Sequence, residues 1–264
     1  MAKSVSAVTK YSGKLGDVVH VQTANGEFVR KAPSRNSGRD NPEFKEQAKI
    51  TAFLNQIASE INTAAIRAGE HYKNKQFYRT IQKKIRNNFI ENRFVLLHRL
   101  KGIQIAKQPL DVVCSYELIT QTNPPYFDIE LRLNRPPHFY KYEPDCFFFG
   151  VTLVTWSKLT DPVKIEQKRT EWRSTDAALP VFDFRFTREP ETINWMIIVR
   201  LTLGVNNEDL RYWDTTMAQI ADVGTFDENE LKLLREHEAS LKEQEKNMFR
   251  KTKEDDEGWV KARE

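Results

Sequence analysis

The sequence predicts an α+β protein: an N-terminal β-hairpin, a basic two-helix region, an antiparallel β-sandwich and a C-terminal helix. Three patterns carry this expectation. Apolar residues recur at helical spacing between positions 42 and 100. The period changes to two from about Leu110. A charged helical pattern returns after residue 225. The expected segments are 1–41 (hairpin arm and linker), 42–107 (basic helical region), 108–206 (sandwich) and 207–264 (C-terminal helix and frayed tail).

Val18–Val21 and Glu27–Arg30 flank Asn25-Gly26, which supplies the positive φ of a tight hairpin turn. Gly13 and Gly16 suggest a turn after a first short strand near Val5–Tyr11. Residues 32–41 are polar and form a linker. A helix is expected to open at Asn41, with Pro42 in its first position, and to end near Gly69. Ile50, Leu54, Ile57, Ile61, Ala64 and Ala68 make its apolar stripe. A second helix is expected from about Lys73 to Leu100, with Phe77, Ile81, Ile85 and Phe89 on one face and Phe94 and Leu97 continuing it.

Alternating rows then follow. Phe127, Ile129, Leu131 and Leu133 make one, Phe182, Phe184 and Phe186 a second, and Trp195 to Leu203 a third. Further strands are expected at Val112–Thr120, Phe147–Ser157 and Val163–Thr170. About six such strands separated by Pro-containing turns predict two packed antiparallel layers. Thr225-Phe226-Asp227-Glu228 has the form of a capping box. Leu231, Leu234, Leu241 and Met248 give the last helix a thin stripe, and residues 250–258 read as a frayed tail.

The chain has 264 residues and a net charge of +4, unevenly placed. Residues 1–107 hold 20 Lys/Arg against 8 Asp/Glu, and residues 108–264 hold 21 against 29. A basic part joined to an acidic part favours self-association or an anionic partner for the basic end. The density peaks between Lys73 and Lys101. There Lys73, Lys75, Arg79, Lys83, Lys84, Arg86 and Arg93 interleave with Tyr72, Phe77, Tyr78, Phe89 and Phe94. Cations at this spacing can neutralise phosphates, and an exposed Tyr78 can stack on a base. The same pattern fits a helix whose aromatics face a core while its cations are solvated or paired with the acidic region.

Asn123-Pro124-Pro125-Tyr126 matches the motif with which amino-methyltransferases hold a flipped adenine. That chemistry also needs a glycine-rich cofactor loop between a strand and a helix. Phe147-Phe148-Phe149-Gly150-Val151, with one glycine, runs on into more strand. A turn between two strands is the simpler reading. Ser12-Gly13-Lys14 lacks the spacing of a phosphate loop. His20, His71, His98, His138 and His237 are scattered, and Cys114 and Cys146 match no zinc spacing. The two cysteines lie in apolar runs and read as buried free thiols, with a single disulfide between them as the alternative. No metal, cofactor or catalytic residue is assigned. No segment approaches the roughly 18 apolar residues of a membrane helix, and Met1-Ala2-Lys3-Ser4-Val5 lacks the apolar core of a secretory signal. The expected location is the cytoplasm, or a particle assembled there.

Ser12-Gly13-Lys14-Leu15-Gly16-Asp17-Val18-Val19 is followed by Gly26-Glu27-Phe28-Val29-Arg30 with Pro33, then by a helix carrying Gln47. This opening resembles that of a family of uncharacterised bacterial proteins. The resemblance covers residues 12–47. It implies glycine turns and a V-V strand, then helices and an immunoglobulin-like β part, and it assigns no catalytic residues. The long C-terminal helix and the Lys73–Lys101 run depart from that family's pattern. The expected function is non-enzymatic: a structural or interaction subunit of a larger assembly, such as a virion or injection-type particle, with protein partners or self-association. The alternative is a nucleic-acid-binding protein that uses the Lys73–Lys101 helix.

Overall fold

The computed structural model describes residues 13–15, 18–23, 26–31, 42–69, 74–86, 94–139, 141, 143–176, 178–212 and 214–243. The chain divides into two compact units, Met1–Ala52 and Phe53–Glu264. Helix α1 (Pro42–Gly69) begins in the first and continues in the second.

The first unit contains an antiparallel meander of β1 (Gly13–Leu15), β2 (Val18–Thr23) and β3 (Gly26–Lys31), in the order β1-β2-β3. Thr23 pairs with Gly26. The two-residue connection is therefore 24–25, one position earlier than the expected Asn25-Gly26, and Gly26 opens β3. Gly13 belongs to a strand, not a turn. The strand expected near Val5–Tyr11, the linker 32–41 and the C-terminal tail lie outside the described residues. Val18, Val19, His20, Val21 and Val29 are half-buried and Lys31 is exposed, so none of the side chains described in this sheet is buried. Residues 42–49 of α1 are exposed on every face, Phe44 included.

In the second unit α1 buries Leu54, Ile57, Ala58, Ile61, Ala64, Ala65 and Ala68, close to the expected stripe. The region expected as one helix from Lys73 to Leu100 contains two helical spans, α2 (Phe77–Arg86) and α3 (Val95–His98), and residues 87–93 between them are not described. Phe94, Val95, Leu96, Leu97 and Leu100 are all buried. A run buried on every side does not need the wet face that an amphipathic helix keeps. Gly102, with φ 81°, then turns the chain into an extended stretch.

A short helix α4 (Leu110–Val113) occupies the start of the strand expected at Val112–Thr120. The strand itself, β4, runs Ser115–Asn123 and pairs with β5 (Tyr126–Arg135). Then come β6 (Cys146–Trp156), β7 (Lys164–Arg169), β8 (Arg173–Ser174), β9 (Val181–Thr187), β10 (Asn194–Val205), β11 (Glu208–Asp209) and β12 (Thr216–Thr225). One sheet has the order β4-β5-β9. The larger sheet has the path β11-β10-β6-β7, with β12 pairing β10 and β8 pairing β6. Every pairing is antiparallel. The β region therefore runs past residue 206. Strand β12 carries no clear period-two signal, because Gln219, Asp222 and Gly224 interrupt its apolar row.

The two sheets share one core. Phe127, Ile129, Leu131, Leu133, Phe182, Phe184 and Phe186 come from β5 and β9. Phe147, Phe149, Val151, Leu153, Trp195, Ile197, Val199, Leu201, Leu203 and Met217 come from β6, β10 and β12. Burying side chains of this size contributes roughly 1.5–3 kcal/mol each. The opposite face of the larger sheet is buried as well, through Phe148, Thr152, Val154, Trp156, Met196, Ile198, Arg200 and Ala218. Hydrogen bonds link this sheet and its loops to the helical region: Arg200 Nη1 donates to the Ala68 carbonyl at 3.5 Å, and Gln56 Nε2 to the Thr160 carbonyl at 2.7 Å. Residues 102–106 line the outer edge of β12, with Gly102 N–H donating to Ile220 at 2.7 Å and Ile105 N–H to Ala218 at 2.6 Å.

The final helix, α5, covers residues 228–243. Its N-cap is Asp227, whose carbonyl accepts from Leu231 N–H at 3.1 Å and whose Oδ1 accepts from Asn229 N–H at 2.9 Å. Thr225, expected as the cap, instead accepts the Asp227 N–H at 3.1 Å and donates to the Ile193 carbonyl. No described helix is long and apolar enough to cross a membrane.

Candidate functional site

Helix α2 presents the cationic surface expected from the sequence. Its apolar side chains fall four apart, so Phe77, Ile81 and Ile85 share one face and are buried. Lys75, Arg79, Lys83, Lys84 and Arg86 are exposed. Asn74 organises the start of the helix: its Oδ1 accepts Gln76 N–H at 2.9 Å and its carbonyl accepts Phe77 N–H at 3.0 Å. Lys83, Lys84 and Arg86 in the last turn complement the negative end of the helix dipole. Asn55 of α1 holds the two helices together, accepting from Gln82 Nε2 at 2.9 Å and from Arg86 Nη2 at 3.3 Å. Among the described residues no ion pair joins Lys75, Arg79 or Lys83 to a carboxylate. Lys73 and Arg93 lie outside the described residues, as do Tyr72 and Phe89. Phe77 and Phe94 are buried and unavailable for stacking, and Tyr78 is half-buried.

The Asn123-Pro124-Pro125-Tyr126 segment is the turn of the β4–β5 hairpin, closed by the Asn123–Tyr126 pair and containing a cis Pro124-Pro125 bond. The Asn123 amide donates to Asp128 at 3.3 Å, and Arg185 lies 5.0 Å above the Tyr126 ring. The turn joins two antiparallel strands, whereas the methyltransferase motif follows a strand of a helix-wrapped sheet. Beyond it, the outward face of β4-β5-β9 is charged. Arg185 donates to both Asp128 oxygens, at 2.7 and 3.4 Å, and holds that carboxyl below its ordinary range. Arg132 bonds Glu130, which faces Asp183 directly across the ladder.

Both cysteines are free and buried. Burial pushes the Cys114 thiol from 9.0 to about 12. Burial, with the Asp145 carboxylate added, takes Cys146 to about 11. Neither thiol is primed as a nucleophile.

A polar seam invisible in the sequence joins α3 to α5. Arg99 Nη2 lies 2.7 Å from His237 Nε2, and His98 Nε2 lies 3.2 Å from Glu238 Oε1. Glu230 Oε2 accepts Phe94 N–H at 3.1 Å. A guanidinium has no acceptor, so the His237 nitrogen accepts this bond. These residues stand more than a hundred positions apart, and no local spacing announces them. Among the described residues no three His, Cys, Asp or Glu groups converge as metal ligands. No protein-family model, curated protein or solved structure matches this chain.

Proposed function

We propose that the protein is a non-enzymatic structural subunit of a larger assembly, such as a virion or injection-type particle, and that it associates with further copies of itself. The reading rests on the N-terminal sheet. Three short strands need a covered apolar face to be stable, yet Val18 and Val29 on one face, and Val19 and Val21 on the other, are only half-buried. The charge division supports the same reading, since residues 1–107 are basic and residues 108–264 acidic. In this reading the sheets β4-β5-β9 and β12-β10-β6-β7 are the two layers of an immunoglobulin-like sandwich, and the N-terminal sheet is the part that contacts a neighbouring copy. The working location is the cytoplasm or a particle assembled there. Size-exclusion chromatography with light scattering tests it. A multiple of 30.9 kDa is expected at low salt, with dissociation as salt rises. A single chain at every concentration and salt overturns the proposal.

The second reading is a nucleic-acid-binding protein. It is favoured by one observation: Lys75, Arg79 and Lys83 are exposed above the buried Phe77, Ile81 and Ile85. Gel shifts with single- and double-stranded DNA and RNA decide it. Binding that weakens as salt rises, and that Arg79→Glu with Lys83→Glu abolishes, supports it. No shift at low salt ends it.

A further inference from the structure

A β-sheet edge is a row of unpaired main-chain donors and acceptors, and proteins cover or charge it to keep other chains off. The second unit treats its edges unequally. Residues 102–106 cover β12. Strand β7, Lys-Ile-Glu-Gln-Lys-Arg, is charged along its length. On β9 the Lys168 ammonium donates to the Arg185 carbonyl. Strands β8 and β11 are two residues each.

Strand β4 has none of these devices. Its nine residues, Ser-Tyr-Glu-Leu-Ile-Thr-Gln-Thr-Asn, include no Lys, Arg, Pro or Gly. Counting back from the Asn123–Tyr126 closing pair, Tyr116, Leu118, Thr120 and Thr122 turn their N–H and C=O groups away from β5. Among the described residues nothing outside the β4–β5 ladder bonds the β4 main chain.

We propose that β4 is an acceptor edge, and that its occupant is strand β3 from the N-terminal sheet of a second copy. This rests on the self-association reading above and names the surfaces that carry it. Strand β3 is an edge of its own sheet. It is six residues long, enough to cover most of β4. Charge matches in net sign: β3 carries Arg30 and Lys31 against Glu27, while β4 carries Glu117 and no base. Main-chain pairing supplies the affinity, and the charge match adds a part that salt weakens. Each copy donates one strand and accepts one at a different surface, so the contact is head-to-tail and builds a ring or a filament.

Three full-length variants test it. Counting from the Thr23–Gly26 pair, Val29 N–H points away from β2, so Val29→Pro removes a donor from the free edge of β3 only. Thr120→Pro does the same for β4, and Ile119→Lys adds the charge that other edges carry. Oligomeric state is read by light scattering, folding by circular dichroism, and amide exchange over 115–123 by mass spectrometry on the unmodified chain. The expected result is an oligomeric parent, single-chain variants, and exchange over 115–123 on the order of tenfold slower in the oligomer than in Val29→Pro. If the parent assembles but all three variants do too, with fast exchange over 115–123, the edge is refuted while self-association stands. If Thr120→Pro and Ile119→Lys dissociate but Val29→Pro does not, β3 is refuted as the occupant. A parent that stays a single chain refutes both. Should Thr120→Pro fail to fold, Ile119→Lys and the exchange data decide.

Discussion

Gly224 faces Trp195 across the β10–β12 ladder, and a Cβ there would lie 1.9 Å from an indole carbon. The missing side chain leaves room for the tryptophan, which meets Phe127 with a ring-centre distance of 5.0 Å. Gly224→Ala is expected to lose about 3 kcal/mol in urea unfolding, the upper range for overpacking a filled site. A variant as stable as the parent would remove this account of the glycine. The thiols make a second prediction at this scale. At about pH 8 both should resist a thiol reagent in the folded protein and react at once in denaturant. Cys114 also links stability to alkali. Its folded value lies above its unfolded one, so its contribution is whole below 9.0 and is lost as pH rises through about 12. Burial raises Tyr116 as well and acts with the same sign. Unfolding midpoints should fall as pH rises above 9.0, and less steeply in Cys114→Ala. That both cysteines are buried could be read from their apolar flanks; their partners could not.

Among the elements, α1 was legible because both its ends carry local chemistry, Pro42 at the start and Gly69 at the finish. Helix α2 was legible by its face but not by its length, since four consecutive residues, Phe94 to Leu97, are all buried and periodicity there has little to report. The start of α5 was misplaced by two residues. Thr225 and Glu228 have the spacing of a cap, but Thr225 is still the last residue of β12, and its hydroxyl serves the turn. Asp227→Ala should therefore destabilise the protein by about 1 kcal/mol, while Asp227→Asn leaves it nearly unchanged. Equal losses in urea unfolding would show that charge, and not the accepted Asn229 N–H, is what matters. The cationic face of α2 was the one candidate surface the sequence located. The open edge of β4 was not, because whether a strand is covered depends on every other strand.

At the scale of the molecule, period-two rows suggested strands with one wet face. Strands β6 and β10 instead bury nearly every residue. The reason is a helical layer on their second face, which no short window of sequence reveals. Amide exchange should consequently be slowest in β6 and β10 and fastest, within α1, over residues 42–49. Equal protection along α1 would contradict the division at Ala52. The border of the larger sheet has a consequence of a different kind. Gln104 and Gln219 stand 115 positions apart, yet they bridge to finish it. During synthesis the segment around Gln104 leaves the ribosome long before its mate exists. At about 5–20 residues per second, the 115 positions between them take on the order of ten seconds to make, and the aromatic interior stays open for at least that long.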